Sequence, residues 1–445
     1  MLDIKFIREN TELIQLAAKR KSVPFDVTAL INVDDKRREL MTGLEKKRAE
    51  QNAYSERIVK AATSADPNER ATLIAQMKTL KDGMQAEEEA LKTVMKEWQA
   101  LMVQVPNIPD MSVPDGTSDA ENKEVKAWGE IPKFDFQPKS HIELMEALNL
   151  CDFDRGTKVA GFRGYVLKND AVLLNFALWQ FVLEMFTKKG FSPAMVPSLV
   201  NKNLLMGTGY LPQGEEDLYK TQDASYLAGT GEVAAMGYHM DEVLDKLQLP
   251  EKTLAFSPCF RREAGAHSKD TKGVKRVHEF FKFEQVILCE ASHETSVALH
   301  EELLANVEEM MQALNIPYHV VLNCAGDLGL GQVKKYDVEA WVPSQKAWCE
   351  THSCSYFHDF QTRRLNIRYK DAEGKMRFVH SLNNTALASP RILIPILENN
   401  QQADGSIKIP QVLQKYMGGR TVIVPVVAPV AGSKTIPATP AKGNN

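Results

Sequence analysis

The segment from residue 28 to residue 104 constrains the fold more than any other part of the chain, because its composition is that of a long helix. It is rich in Glu, Lys, Arg, Ala, Leu and Met, and it contains one proline and two aromatic residues. The turn-forming run TSADPNE, residues 63–69, divides it into two halves. In the second half, apolar residues recur at a spacing that mostly alternates between four and three, which indicates a coiled-coil seam. These residues are Leu73, Met77, Leu80, Met84, Leu91, Met95, Trp98 and Met102.

An antiparallel two-helix hairpin accounts for both halves of this segment. With about 30 residues in each helix, and a rise of 1.5 Å per residue, the hairpin would project about 45 Å. Its 13 Lys and Arg residues balance 13 Asp and Glu residues, so charge alone does not identify a nucleic-acid partner. Periodicity alone favours a solvated coiled coil that mediates dimerisation.

The remaining composition is that of a soluble protein with two or three domains. The chain has 445 residues, of which 44% are hydrophobic and 25% are charged. No run of 18 apolar residues occurs, and the opening MLDIKFIRENTEL lacks the apolar region of a signal peptide, so we expect a cytoplasmic protein without membrane association. The six cysteines show no repeated C-x-x-C spacing, so we expect reduced thiols and no zinc site.

A linker rich in Pro, Asp and Gly separates the hairpin from a segment of mixed helix and strand patterns. The fold class predicted for that segment is α+β, with a largely antiparallel sheet. Helices are predicted at residues 168–189 and 293–314, and strands at residues 253–260, 277–289, 337–341 and 365–369. The predicted domains are residues 1–110, with the hairpin arm at about 28–104; residues 111–420; and a partly disordered tail, residues 421–445.

Positive charge is concentrated in FRREAGAHSKDTKGVKRVHEFFKFEQV, residues 260–286. Residues 261–276 carry six cations and two acids, although the formal charge of the whole chain is −4. If the stretch is a hairpin, strand alternation places Arg261 near Phe280 and Glu284 on one face of the sheet. A guanidinium, an aromatic plane and a carboxylate suit a phosphate, a purine and an ammonium group.

The same alternation divides the second strand of this hairpin into two faces. One face would carry His278, Phe280, Lys282 and Glu284, and the other Val277, Phe281, Phe283 and Ile287. The connecting loop, residues 264–276, is too long for a tight turn. It would either close over polyphosphate or RNA or remain a solvated basic loop; its cations are Lys269, Lys272, Lys275 and Arg276.

Several ordered stretches resemble the motifs of class II aminoacyl-tRNA synthetases, in the form found in the seryl-tRNA synthetase family. FRREAGAHSKDTKGVKRVHEFFKFEQ resembles motif 2, and GFSPAMVPSLV resembles motif 1 with its proline at Pro197. ETHSCSYFHDFQTRR and LNNTALASPRILIPILENNQ resemble the segments that lead into and contain motif 3. MLDIKFIREN with the following hairpin resembles the N-terminal tRNA-binding arm of the family, so the resemblance extends to about residue 420.

This resemblance implies a homodimer with an antiparallel catalytic sheet flanked by helices. The implied reaction activates L-serine with ATP and Mg²⁺ and transfers serine to the 3' end of tRNA(Ser). The implied catalytic residues are Arg261, Glu284 and Arg391. The implied serine-binding residues are Thr230, Glu232, Arg261, Glu284 and Thr385. The implied ATP-binding residues are Arg261, Arg262, Glu263, Val277, Phe280, Glu350, Ser353 and Arg391, with Glu350 and Ser353 also holding Mg²⁺.

The chain departs from the family pattern at several of these positions. Gly231 replaces Ser or Ala, which would give the serine loop more backbone freedom, and His352 replaces Ser beside the segment implied to hold Mg²⁺. Ser389 and Pro390 are predicted to cap and begin a helix. Pro395 would then cost about 3 kcal/mol, unless the helix starts later or kinks. The other departures are Tyr356, Phe357, Asn384 and Ala386.

Two other functions compete with serine–tRNA ligation. A paralogue that loads a carrier other than tRNA would be expected to lack the arm, which is present. A catalytically inactive RNA-binding homologue would be expected to have lost Arg261, Glu284, Glu350 or Arg391, and all four are present. Whether the enzyme also charges tRNA(Sec) is not decided by these residues.

Overall fold

The computed structural model describes residues 1–61, 67–266 and 270–425. Its helices are α1 (Ile4–Glu9), α2 (Thr11–Arg20), α3 (Val27–Ala61), α4 (Pro67–Met102), α5 (His141–Ala147), α6 (Phe153–Ala160), α7 (Asp170–Lys188), α8 (Lys202–Thr208), α9 (Glu232–Gly237), α10 (His293–Ala313), α11 (Phe360–Leu365), α12 (Leu393–Asn399) and α13 (Gln411–Gln414). Its strands are β1 (Lys123–Trp128), β2 (Cys151–Asp152), β3 (Val166–Leu167), β4 (Ser192–Met195), β5 (Leu199–Val200), β6 (Tyr219–Lys220), β7 (Tyr226–Leu227), β8 (Val243–Leu244), β9 (Glu251–Phe260), β10 (Glu279–Cys289), β11 (Tyr318–Leu322), β12 (Lys334–Val342), β13 (Ala347–His358), β14 (Arg368–Lys370), β15 (Met376–Phe378), β16 (His380–Ser389), β17 (Ile407–Lys408) and β18 (Val422–Ile423).

Helices α3 and α4 form the predicted pair. Lys47 on α3 bonds to Glu87 on α4 at 2.8 Å, and Arg48 bonds to Glu88 at 3.0 Å, so the two helices run side by side. Arg37 lies over the ring of Trp98 at 4.8 Å, which continues the antiparallel register toward the base. The prediction of a two-helix hairpin is therefore confirmed, while residues 63–66 of the predicted turn lie outside the described residues.

The base of the hairpin is held by a small hydrophobic cluster. Ile7 of α1 and Ile14 of α2 are fully buried against Leu30 of α3 and Met102 of α4. Beside this cluster the buried carboxylate of Asp34 bonds to the guanidinium of Arg8 at 2.9 Å. The lower ends of the two long helices therefore belong to one packed unit with α1 and α2, and only their upper parts form a free arm.

An eight-stranded sheet is the centre of the rest of the protein. Its strand order is β1-β11-β12-β13-β16-β10-β9-β4, and each neighbouring pair is antiparallel except β4 with β9. Helices α7 and α10 pack on one face in the main hydrophobic core. The opposite face is open between β9, β10, β13 and β16. The prediction of a largely antiparallel α+β domain is confirmed.

Helix α7 is the one helix in the described ranges whose length and apolar composition would allow it to span a membrane. Leu174, Leu178, Val182 and Phe186 of this helix are buried in the main core, with exposures of 1% or less. These contacts are those of a core helix that packs on a sheet.

Three local predictions were wrong. The predicted strand 365–369 begins with the last residue of α11, because Asn366 ends that helix in the left-handed conformation with φ 56° before β14 starts at Arg368. His278 precedes β10 and does not share the face of Phe280. Ser389 is the last residue of β16, so α12 begins later, at Leu393.

The late start of α12 explains why Pro395 is tolerated. Pro395 is the third residue of the helix, and backbone N–H groups in the first turn have no acceptor within the helix. The missing N–H of proline therefore removes no helical hydrogen bond. At the C-terminal end, β18 pairs with β17. Residues 426–445 of the predicted tail lie outside the described residues.

Candidate active site

A cavity of about 700 Å³ opens on the uncovered face of the large sheet. Its floor is formed by β10, β13 and β16, with Arg261 just beyond the end of β9, and its rim by the start of α9, the end of α8 and residues 329–332. Every predicted site residue except Arg262 lines it: Thr230, Glu232, Arg261, Glu263, Val277, Phe280, Glu284, Glu350, Ser353, Thr385 and Arg391. Arg262 is exposed, and its backbone N–H donates to the carbonyl of Asp217 at 2.9 Å.

The pairing of β9 with β10 sets the geometry of Arg261 and Phe280. Phe260 pairs with Glu279, and the residues that follow them, Arg261 just after β9 and Phe280 on β10, both line the cavity. The guanidinium of Arg261 lies 5.3 Å from the centre of the Phe280 ring and donates to the carbonyl of Gly229 at 3.3 Å. The predicted juxtaposition of a guanidinium and an aromatic plane is therefore present.

A second guanidinium, that of Arg391, enters from the turn after β16. It donates to the carbonyl of Lys275 at 3.1 Å and to the carbonyl of Glu350 at 3.3 Å. Because both acceptors are neutral carbonyl groups, the positive charge of Arg391 remains available to an anion in the cavity.

Two buried carboxylates, Glu232 and Glu284, form the deepest polar part of the cavity. Glu232 accepts hydrogen bonds from the hydroxyl of Tyr210 at 2.9 Å and from the amide of Gln361 at 2.5 Å. Glu284 accepts from the hydroxyl of Thr230 at 3.3 Å and forms an ion pair with Lys282. Burial and the nearby charge of Glu284 raise the pKa of Glu232 to about 7.

Sequence reasoning missed the groups that hold these carboxylates. Tyr210 reaches Glu232 from the turn after α8, and Gln361 reaches it from α11; they lie 22 and 129 residues away in the chain. Gln361 lies in the stretch ETHSCSYFHDFQTRR, but nothing in its spacing connects it with Glu232, and Tyr210 lies in none of the stretches that resemble the family. Lys282 was placed on the correct face by strand alternation, but its partnership with Glu284 was not anticipated.

Carboxylates offset much of the positive charge of the loop between β9 and β10. Lys272 pairs with Glu146 at 2.9 Å, and Lys275 pairs with Asp270 at 3.5 Å. Arg276 pairs with Glu263 at 3.1 Å and with Asp270 at 3.2 Å. Lys269, the remaining predicted cation, lies outside the described residues.

The residues around Glu350 and Ser353 fit a hard divalent cation. Both line the cavity, and Asp337 on the neighbouring strand pairs in register with Ser353. The Asp337 carboxylate is buried, and its Oδ1 atom has no hydrogen-bond partner among the described residues. Burial and the charge of Glu350 raise the pKa of Asp337 to about 6, although Lys335 opposes them at 3.2 Å. Crowded carboxylate and hydroxyl oxygens of this kind are the ligand types that Mg²⁺ prefers.

Gly231, His352 and Asn384, which depart from the family pattern, are not among the residues that line the cavity. Gly231 has φ −66°, and a Cβ atom there would lie 3.4 Å from the Cβ of Ala255, so the backbone freedom predicted for glycine is not used. Asn384 donates to the carbonyl of Leu303 on α10 at 2.8 Å. Burial lowers the pKa of His352 to about 3, so its ring is neutral.

Two family models match the chain. Residues 217–400 match the tRNA synthetase class II core domain (G, H, P, S and T), and residues 1–109 match the seryl-tRNA synthetase N-terminal domain. Relatives named serine–tRNA ligase occur in Deinococcus radiodurans and Treponema denticola. Each is 42% identical; the first match covers 95% of this chain and 99% of the relative, and the second covers 94% and 99%.

Solved structures give the same result. Seryl-tRNA synthetase from Pyrococcus horikoshii, complexed with ATP, has a TM-score of 0.89 and 37% identity, and the match covers 96% of this chain and all of that one. Cytoplasmic serine–tRNA ligase from Naegleria fowleri, in complex with AMP, has a TM-score of 0.84 and 30% identity over 96% of this chain and 99% of that one. The fold is therefore shared along nearly the whole chain.

Proposed function

We propose how the cavity serves the reaction of this chain, which belongs to the seryl-tRNA synthetase family of class II aminoacyl-tRNA synthetases and ligates serine to tRNA. One observation carries the proposal: two guanidiniums with neutral partners and two buried carboxylates converge in a single cavity beside an aromatic ring. These groups match the charges of ATP and of serine, which must meet at the α-phosphorus.

ATP is proposed to lie along β10 and the turn after β16. Phe280 stacks on adenine, Arg261 binds the α-phosphate, and Arg391 binds the γ-phosphate end. The 5.3 Å separation between the Arg261 guanidinium and the Phe280 ring supports this placement, because it sets the phosphate site beside the base. Glu263 and Val277 line the same part of the cavity. Arg262 is not included in the proposed ATP site because its side chain lies outside the cavity.

Mg²⁺ is proposed to be held by Glu350 and Ser353. When bound, the ion offsets the charge of the triphosphate and favours departure of pyrophosphate. The buried carboxylate of Asp337 supports this assignment, because it lies on the strand next to β13, in register with Ser353, and adds negative charge beside the proposed site.

L-serine is proposed to bind at the two buried carboxylates. Glu284 and Thr230 take the ammonium group, while Glu232 and Thr385 take the side-chain hydroxyl. Alanine would leave Glu232 without its ligand hydrogen bond, and a larger side chain would collide with Tyr210. The site therefore selects serine both by size and by hydrogen bonding.

The chemical step requires alignment more than proton transfer. The serine carboxylate is already an anion; it attacks the α-phosphorus, and pyrophosphate leaves with its bonding electrons. Arg261 and Arg391 offset the charge that develops on the phosphate oxygens. In the second step, the terminal ribose hydroxyl of tRNA attacks the carbonyl carbon of seryl-adenylate and AMP leaves.

The hairpin arm is proposed to bind tRNA(Ser), and two chains are proposed to form a homodimer. Exposed apolar side chains next to the open edge of the sheet support a dimer: Leu173 and Phe176 on α7 are 50% and 54% exposed, and Met195 on β4 is 85% exposed. An apolar surface at an edge strand is typical of a protein interface. The cytoplasmic location remains a prediction, and charging of tRNA(Sec) remains open.

Serine-dependent ATP–pyrophosphate exchange tests the assignment. Arg261→Ala and Arg391→Ala should each reduce exchange by about 10²- to 10³-fold without a matching loss of thermal stability. Arg377→Ala is the matched control, because Arg377 is exposed on β15, away from the cavity. Exchange should require serine in place of alanine, threonine or glycine, and charging of tRNA(Ser) should follow.

Three results would count against the proposal. Normal exchange in both arginine variants would show that the cavity is not the site of serine activation. Absence of serine-dependent exchange would contradict the substrate. Exchange without charging of tRNA would favour the alternative in which serine is loaded on another carrier.

A further inference from the structure

The base of the arm contacts the wall of the cavity through a buried lysine. Lys21 directly follows α2, and its side chain is 4% exposed. Its ammonium group donates to three backbone carbonyls of one loop: Gly329 at 3.0 Å, Leu330 at 3.0 Å and Gln332 at 2.6 Å. Three donors therefore meet three acceptors, more than 300 residues away in the chain.

The loop held by Lys21, residues 329–332, is part of the cavity wall. The side chain of Gln332 ties the loop together, because its carbonyl oxygen accepts from the backbone N–H of Gly329 at 2.6 Å. The amide group of the same side chain donates to the hydroxyl of Ser355 at 2.8 Å. Ser355 lies on β13, two residues beyond Ser353, and also lines the cavity.

The other end of the arm meets the same loop. Asn107, which follows α4, donates its backbone N–H to the carbonyl of Leu330 at 2.9 Å and its side-chain amide to the carbonyl of Gly331 at 3.0 Å. The residues next to Lys21, numbers 22–24, line the cavity themselves. The segment that leads into the arm and the segment that leaves it are therefore both hydrogen-bonded to residues 329–332 of the cavity wall.

Within the described ranges of the chain, the hydrogen bonds of the Lys21 ammonium go to three neutral carbonyls, and it forms no ion pair with a carboxylate. Burial lowers the pKa of Lys21 well below its ordinary value. A buried cation that only filled space would be replaced by an apolar side chain at little cost. The three carbonyl contacts give Lys21 a specific task, which is to fix the path of residues 329–332.

We propose that Lys21 is a positioning residue for serine activation: it fixes residues 329–332, and through Gln332 and Ser355 it holds the β13 wall of the cavity on which Ser353 and Glu350 stand. The inference rests on the proposed function of the cavity. It makes the base of the arm part of the activation site, so a movement of the arm on tRNA is transmitted to the ATP side of the cavity. Glu232 on α9, Glu284 on β10 and Thr230, just before α9, lie outside this connection.

Full-length Lys21→Met tests the proposal by ATP–pyrophosphate exchange. The expected result is a 10- to 100-fold lower kcat, by the usual effect of misplaced groups, with a higher KM for ATP. The KM for serine should stay within about twofold of wild type. Lys19→Met removes the same charge from an exposed position on α2 and should leave all three constants unchanged.

Gln332→Leu supplies a second variant that leaves the carbonyl anchors of Lys21 in place. It should reproduce the ATP-selective defect, and the double variant should be no worse than the more impaired single variant, because both changes break one chain of contacts. If Lys21→Met fails to fold, an ATP-selective defect in Gln332→Leu still supports the proposal, and normal kinetics there overturn it.

Two outcomes overturn the role of Lys21. One is wild-type exchange in folded Lys21→Met, and the other is an equal rise in KM for ATP and for serine. The failure of the proposed function is distinguishable, because it would appear as normal exchange in Arg261→Ala and Arg391→Ala.

Discussion

Replacing Glu232 by glutamine should stabilise the ligand-free protein above neutral pH while weakening serine binding. Glu232 is 4% exposed and accepts two hydrogen bonds, from Tyr210 and Gln361. Burial and the charge of Glu284 nevertheless raise its pKa from 4.5 to about 7. The carboxylate is therefore held in a place that disfavours its charged form, as expected of a group that waits for a ligand.

The size of the effect follows from the linkage between protonation and folding. Each unit of pKa corresponds to 1.36 kcal/mol, so a pKa raised from 4.5 to about 7 costs the folded protein about 3 kcal/mol once Glu232 is ionised. The folded state binds the proton more tightly than the unfolded state. The contribution of Glu232 to the free energy of unfolding therefore falls as the pH rises from 4.5 to about 7, and is constant above that.

Urea denaturation from about pH 5 to about pH 8 measures this effect. Glutamine does not titrate, so the free energy of unfolding of Glu232→Gln minus that of wild type should grow by about 2.5 kcal/mol across this range. In the variant, the hydrogen bond between position 232 and Gln361 changes, and this shifts the difference in free energy of unfolding by an amount that does not vary with pH. Glu216→Gln, at an exposed position, should show no such trend. A pH-independent difference for Glu232→Gln would refute the reasoning.

Serine should reduce the stability advantage of Glu232→Gln over wild type. The loss of a hydrogen bond to a charged group costs about 1.5 to 3 kcal/mol, so the KM for serine should rise about 10- to 100-fold in Glu232→Gln. Saturating serine should therefore raise the melting temperature of wild type more than that of the variant. In wild type the KM for serine should increase as the pH falls below about 7, and in the variant it should not. If serine raised the melting temperature of both proteins equally, Glu232 would have no part in serine binding.

Three further predictions concern the arm, the proposed adenine site and α12. Replacing residues 49–87 with a short glycine turn, which joins the paired positions Arg48 and Glu88, should leave exchange within about twofold and abolish charging; equal loss of both would give the arm a structural role. Phe280→Leu should raise the KM for ATP about 10-fold in exchange assays, as expected for a lost stacking contact, with the KM for serine unchanged. Pro395→Ala should change the free energy of unfolding by less than about 1 kcal/mol, whereas a loss of several kcal/mol would show that the proline is needed at that position.

The cut in the arm is shorter than sequence alone would suggest. Helical periodicity predicts the hairpin, because the seam is a local and repeated pattern. It does not show where the arm ends and the packed base begins. Leu30 and Met102 lie within the segment 28–104 but are buried against α1 and α2, and residue 104 lines the cavity. Removal of the whole segment would also disturb Lys21, and loss of exchange could not then be assigned to the arm.

The same limit applies within the active site. Strand alternation correctly places Phe280, Lys282 and Glu284 on one face, because the period of two is fixed by the backbone. The end of β16 was misjudged because Ser389 pairs with Phe281 of β10 and so continues the ladder, a contact between distant segments that overrides the local capping signal. Contacts such as that of Gln361 with Glu232 arise only when the sheet and α11 are assembled.

The basic stretch of the sequence also shows why counting charges misplaces the phosphate site. Lys272, Lys275 and Arg276 each have a carboxylate partner within 3.5 Å, so much of their charge is already offset before a ligand arrives. In the part of the chain that the structure describes, Arg261 and Arg391 form no ion pair, and their hydrogen bonds go to neutral carbonyls. A triphosphate gains more from the two unpaired guanidiniums than from cations that must first leave their partners. The loop is thus held by carboxylates of α5, Glu263 and Asp270, and under the proposed function the charge that meets ATP comes from Arg261 and Arg391.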